Sequence, residues 1–224
     1  IEIYGGFAGT ETALSQRSST SNPVILSGDI GTVGSSSDNC YHVFISEGLT
    51  SAAVLDGVTI TGGNADGSGA LSYSGATNFH RRIGGGLYVN KGNPVISGCL
   101  IIDNSAEWGG GLYIHGGGSN NTSTAPNYSS ATIENCAIVG NIATTQGGGG
   151  VYCNWNGNAN FYNCVFYDNS AVDGGAVRNT SHTHPDFFNC AFIKNTASSA
   201  GGGIQSWSTC NIKVYNSVFY GNTS

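Results

Sequence analysis

Short apolar runs recur along this chain at a nearly constant interval, separated by glycine and asparagine rather than by the charged turns of amphipathic helices. The clearest phrase is NFYNCVFYDNSAVDGGAV, Asn160 to Val177, and related phrases stand at Val95 to Ile114, Thr132 to Tyr152, Asp186 to Ile204 and Lys213 to Ser224. Aligned on the asparagine after the second apolar run, the copies place Asn104, Asn141, Asn169, Asn195 and Asn222 at spacings of 37, 28, 26 and 27 residues. Eight residues earlier the column reads Ile96, Ile133, Phe161, Phe187, Val214, and three earlier it reads Ile101, Ile138, Phe166, Phe192, Phe219. Both are core columns. A period in this range, with short strands and glycine punctuation, predicts an all-β chain. The expected fold is a right-handed, single-stranded parallel β-helix of about seven coils, each burying its face against the next.

Within a copy the inward parity switches between Phe161 and Cys164. That predicts a one-residue bend at Asn163 in the left-handed conformation, which asparagine tolerates better than most residues. Asn135, Asn163, Asn189 and Asn216 fill the bend in successive copies, and coils stacked about 4.8 Å apart would let their amides hydrogen-bond along the stack. Upstream, Ile1 to Phe7 and Pro23 to Ile30 predict two strands of an opening coil joined by the connector Ala8 to Asn22. Cys40 to Ser46 and Val54 to Gly62 predict the next coil, with Val58 in the cysteine column and a register one residue longer. The chain thus reads as one domain over 1–224: irregular opening coils 1–62, an insertion 64–83, and regular coils 84–224 interrupted by a polar loop 116–130. Since every earlier copy continues into a glycine cluster, the natural chain is expected to run on past Ser224. Those clusters, Gly109 to Gly111 among them, precede strands, not the helix that a phosphate cradle requires. They fit turns of positive φ and close approach of adjacent coils.

Composition narrows the function classes. Charged residues make up 9% of the chain and the net charge is −6 with seven Lys plus Arg, so a nucleic-acid surface is excluded. Solubility must come from Asn, Ser, Thr and Gly, a composition of extracellular type. No run approaches the roughly 20 apolar residues of a membrane-spanning helix. Seven cysteines would suggest disulfides, but Cys99, Cys136, Cys164 and Cys190 form one inward column. Parallel Cβ vectors about 4.8 Å apart exceed what a disulfide wants. They are expected to be buried free thiols, while Cys40, Cys153 and Cys210 lie in other columns and stay unassigned.

Catalytic residues are not expected. The best assembly of acid, base and ion-binding groups would be Asp168, Asp173, Arg178 and Lys194 gathered near one edge, and solvated turn charges explain them better. No cofactor is called for, calcium being the one ion that lyase chemistry would bring. His182-Thr183-His184 lacks a partner at metal spacing. A binding case rests on Tyr88, Tyr113 and Tyr152, which alternation places on the outside of one sheet as an exposed ladder able to stack on sugar rings. Trp108, Trp155 and Trp207 lie near the ends of those strands and would widen that surface. The cysteine strands are apolar on their outward side too: Leu100, Ile102, Val139, Val165, Tyr167, Ile193, Val218 and Tyr220 form a ribbon. Strands apolar on both faces are normally covered on both, so this ribbon is expected to pack against another domain of the parent chain or a second copy.

The pairing of GGAV (Gly174 to Val177) with FYDN, FIKN and FYGN resembles the repeats of chlamydial polymorphic outer membrane proteins. The opening YGGFAGTET with ILSGDIG is similar to the start of large secreted parallel β-helix proteins of the Bacteroidota type. The resemblance covers nearly the whole chain and implies a pectate-lyase-like solenoid exported to the bacterial surface or medium. That superfamily includes adhesins, lyases and glycosidases alike. The expectation is therefore a non-catalytic extracellular segment serving as spacer, adhesin or assembly module. The alternative is a polysaccharide lyase, a glycoside hydrolase or a glycan-binding module.

Overall fold

A computed structural model describes residues 1–71, 79–117, 129–207 and 209–224. They form a parallel β-helix. Four parallel sheets run along it, each built from one short strand per coil. The leading sheet stacks Glu2–Tyr4, Val54–Asp56, Val95–Ser97, Ser129–Glu134, Gly157–Tyr162, Asp186–Phe188 and Lys213–Tyr215. The cysteine sheet follows it with Ile25–Ser27, Thr59–Thr61, Leu100–Ile102, Ala137–Val139, Val165–Tyr167, Ala191–Ile193 and Val218–Tyr220. Seven strands in each match the expected coil number. A narrow alanine sheet comprises Asn64–Ala65, Ser105–Ala106, Ile142–Ala143, Ser170–Asp173 and Thr196–Ala200. The tyrosine sheet closes each coil with Phe44–Glu47, Leu87–Asn90, Leu112–His115, Val151–Asn154, Val177–Asn179 and Ile204–Ser206.

The predicted core columns form the core through the first four copies, whereas Val214 and Phe219 of the last copy are exposed by 38% and 48%. Ile96, Ile133, Phe161 and Phe187 from the leading sheet and Ile101, Ile138, Phe166 and Phe192 from the cysteine sheet are buried in one cluster. Identical residues in register stack flat: Phe166 on Phe192 at 4.7 Å and 8°, Phe192 on Phe219 at 4.5 Å and 8°. These spacings are those of neighbouring strands, so the backbone repeat itself brings the rings into contact. The column cysteines are buried and free, as expected, and Cys153 is a fifth buried thiol, in the inward row of the tyrosine sheet. Cys40 and Cys210 are partly exposed and also free.

Two bends are left-handed rather than one. Asn135, Asn163, Asn189 and Asn216 adopt φ of 54, 54, 55 and 46°, as the parity switch requires. The turn after the cysteine sheet does the same through Asp103, Gly140, Asp168, Lys194 and Gly221, with φ of 53, 62, 56, 54 and 64°. Asp168 and Lys194 are therefore exposed turn residues, whereas Asp173, at the far end of the Ser170–Asp173 strand, pairs with Arg178 at 3.4 Å. The four do not gather; a strand separates the two pairs.

Two further expectations need correction. The Val54 coil has no extra residue: Leu100 pairs with Thr59 and Ser105 with Asn64, so Gly63 stands at the position of Asn104. The principal asparagine ladder is also not the bend column, whose amides meet at 3.2 and 3.3 Å on the surface. It is the alignment column itself. Asn104 Nδ2 donates to Asn141 Oδ1 at 3.1 Å, Asn141 to Asn169 at 3.1 Å, Asn169 to Asn195 at 2.9 Å and Asn195 to Asn222 at 2.8 Å. Each also donates to a backbone carbonyl one coil away, and each Oδ1 accepts a backbone N–H. Asn104, Asn141, Asn169 and Asn195 are fully buried and fully satisfied, the condition under which a polar group inside a core stabilises it.

The glycine clusters close the tyrosine sheet. Gly109 has φ of 66°, and a Cβ on Gly110 would strike the backbone of Ile142. Positive φ and close coil approach are both realised there.

Candidate functional site

Alternation along the tyrosine strands sends two rows of side chains outward. One row is Tyr88, Tyr113, Tyr152, Arg178 and Gln205; two residues on, the other begins Asn90, His115 and Asn154. The tyrosines leave the barrel as predicted, but they are not solvated. Their exposures are 4, 3 and 6%. The insertion and Trp108 of the next coil cover them: Ala70–Leu71 and Phe79–His80 form a small antiparallel pair, and Phe79, Ile83 and Trp108 pack down on the rings. Phe79 meets Tyr88 edge-on at 5.0 Å, Tyr88 meets Tyr113 at 4.9 Å, and Trp108 meets Tyr152 at 5.8 Å. Burial raises all three phenols above their ordinary range. An exposed tyrosine ladder for stacking on sugars is thus replaced by a second hydrophobic cluster outside the barrel. The segments 72–78 and 118–128, parts of the two predicted insertions, lie outside the described residues.

That cluster forms the floor of a cleft of about 400 Å³ between the insertion and the Leu112–His115 and Val151–Asn154 strands. Trp108 and Trp155 line it together with His80, Arg82, Asn90, His115 and Asn154. The size falls in the range of small-ligand sites. Its polar groups are pre-set by one another. His115 stacks on Tyr113 at 5.8 Å and 18°, and its Nδ1 donates to Asn90 Oδ1 at 3.0 Å, which leaves Nε2 as an acceptor. Asn154 donates to the Tyr113 hydroxyl at 3.3 Å and accepts from Thr180 at 2.9 Å. Burial first, then the charges of Lys91 and His80, push His115 down to about 4, so its ring is neutral at physiological pH. Arg82 lies over the Trp108 ring at 5.5 Å and reaches Glu107 at 3.7 Å.

Trp155 sits at the rim with φ of 47°, and Asn156 after it has 59°. A bulky aromatic residue in the left-handed region is strained, a condition that persists where the position is put to use. Among the described residues no carboxylate or cysteine lines the cleft, and no group of three or more His, Cys, Asp or Glu could hold a metal ion. The His182 to His184 segment is a turn, with Ser181 and His182 at φ of 57 and 63° and His184 Nδ1 accepting from the Asn211 N–H at 3.0 Å.

Comparison of the chain with protein-family models, curated proteins and solved structures gives no match. Sequence reasoning found the strand and its tyrosines but not the cleft, because Trp108 and His115 of one coil, Trp155 of the next, and His80 and Arg82 of the insertion meet only when the coils stack and the insertion folds over them. The available signal was two insertions flanking the Leu87–Asn90 and Leu112–His115 strands.

The outward ribbon on the cysteine sheet is present as alternation predicted. Leu100, Ile102, Val139 and Ile193 are half-buried by their ladder neighbours, while Val165, Tyr167, Val218 and Tyr220 are exposed, Tyr220 by 69%.

Proposed function

We propose that this chain is a non-catalytic extracellular module of a bacterial surface or secreted protein, of adhesin type, that holds a saccharide in the cleft over the tyrosine sheet. The observation that carries this reading is the lining: two tryptophans beside planar amides and a neutral imidazole on a rigid floor. An indole face offers large contact to the apolar side of a sugar ring, and fixed planar donors and acceptors suit its hydroxyls. The resemblance to polymorphic outer membrane protein repeats and to Bacteroidota-type β-helix proteins favours a surface location. The charge-poor surface fits it as well. A glycoside hydrolase fits this cleft less well, since hydrolysis uses a pair of carboxyl groups and none lines it among the described residues. The outward ribbon is, in this reading, the face that packs against a further domain of the parent protein or a second copy.

A glycan array probed with the labelled chain, followed by calorimetric titration of the hits, tests the assignment. Binding should weaken at least about tenfold in Trp108→Ala, with the fold checked by circular dichroism. Retention of full affinity in that folded variant would remove the cleft from consideration. Turnover of an acidic polysaccharide with calcium present would favour the enzymatic alternative instead.

A further inference from the structure

The floor of the cleft does not stop at its rim. The row Asn90, His115, Asn154 continues through Thr180 to Trp207, because the N–H of Thr180 bonds the Cys153 carbonyl at 3.0 Å and that of Trp207 bonds the Asn179 carbonyl at 2.8 Å, which carries the parallel register past the strand ends. Trp207 is 60% exposed. Beside it, Arg178 is buried between two rings, 5.8 Å from the Tyr152 centroid and 6.0 Å from that of Trp207. Tyr152 is the shared wall: one side meets Trp108 of the cleft and the other meets Arg178. Two buried polar atoms on this stretch, Arg178 Nε and Gln205 Oε1, have no hydrogen-bond partner among the described residues, an arrangement that calls for an explanation.

From these facts the geometry points to an extended, uncharged oligosaccharide as the ligand, lying along the helix axis from the Trp108 and Trp155 cleft to a second subsite on Trp207. This rests on the saccharide reading of the cleft. Five coils at about 4.8 Å place the two ends of the row about 19 Å apart, the reach of several sugar units and not of one ring. Planar or ring-bearing groups stand at Asn90, His115, Asn154 and Trp207, with the Thr180 hydroxyl between the last two, and this spacing by strands suits a polymer whose own repeat advances by a similar step. The ligand is assigned no charge because both arginines on this face are already matched: Arg82 by Glu107 at 3.7 Å and Arg178 by Asp173 at 3.4 Å.

The experiment compares the parent chain, Trp207→Ala and Trp108→Ala by titration with cello-, xylo-, manno- and chito-oligosaccharides and with oligogalacturonides as the uronate series, from disaccharide to hexasaccharide. In the parent, affinity should rise with chain length for the recognised series. Trp207→Ala should leave the shortest ligand unaffected and remove the rise, a loss of about tenfold for the longest, while Trp108→Ala should weaken every length. Because Trp207 is largely exposed, its removal should leave the melting temperature unchanged. If Trp108→Ala weakens binding but Trp207→Ala leaves the length dependence intact, the second subsite is wrong and the cleft stands. If a uronate series alone binds, the uncharged assignment is wrong. If no oligosaccharide binds the parent chain, both the extension and the reading beneath it fall.

Discussion

Asparagine does two different jobs in this chain, and the surroundings decide which. At Asn163 it supplies a left-handed backbone on the surface and a 3.2 Å ladder bond to Asn135. At Asn169 the side chain is buried, donates to Ile138 O and Asn195 Oδ1, and accepts from the Asn141 backbone and side chain. Asn169→Ala strands several buried donors and acceptors at once, so it should cost about 3 kcal/mol or more. Asn163→Ala should cost about 1 kcal/mol, mainly the left-handed conformation. Urea denaturation of the two variants measures the difference, and equal losses would contradict the assigned roles. At His115 the relevant quantity is pH. Its pKa is about 4 when folded against an ordinary 6.5, so the unfolded chain binds the extra proton between those values. Stability should therefore decline as pH falls from about 6.5 to 4 and level off below, by up to about 3 kcal/mol. His42, also lowered by burial, acts in the same direction. Melting curves of the parent and His115→Gln across that range should differ in slope.

At the scale of elements, each short strand has meaning only in its stack. A strand of three residues such as Val165–Tyr167 makes too few contacts to persist alone, yet its neighbours supply a partner on both sides. The same stacking places the strained turn at Trp155 immediately after the Val151–Asn154 strand. Replacing Trp155 by Asn, a residue that accepts positive φ, should leave stability within about 1 kcal/mol of the parent while saccharide binding falls. Calorimetry and titration on one preparation would show it. A large drop in melting temperature would mean that the indole serves packing rather than the cleft.

Across the whole molecule, the two long faces differ in what covers them. The tyrosine sheet carries its own cover in the insertion, so its outward rings are buried within the chain. On the cysteine sheet Val165, Tyr167, Val218 and Tyr220 are exposed, with no such cover among the described residues. Introducing Val139→Lys and Ile193→Lys together should abolish self-association or docking to a neighbouring domain while leaving the coil folded, as read by light scattering and circular dichroism. Unchanged assembly would remove the ribbon from the interface.

How much of this was legible beforehand depends on distance along the chain. The repeat, the core columns, the buried thiols and the left-handed bend at Asn163 follow from the sequence alone, because each coil sees only its neighbours and a conserved spacing becomes a stacked column. The second bend was equally readable in the Asp103, Gly140, Asp168, Lys194 column, but those residue types also suit solvated turns. Which asparagine column was buried, and that Gly63 rather than Asn64 completes it, depended on the direction of side chains at the corners, where strand alternation no longer applies. The cover over the tyrosines and the cleft beside it were decided only by tertiary structure, since an insertion's landing place is set by its packing on residues tens of positions away and leaves no period in the sequence.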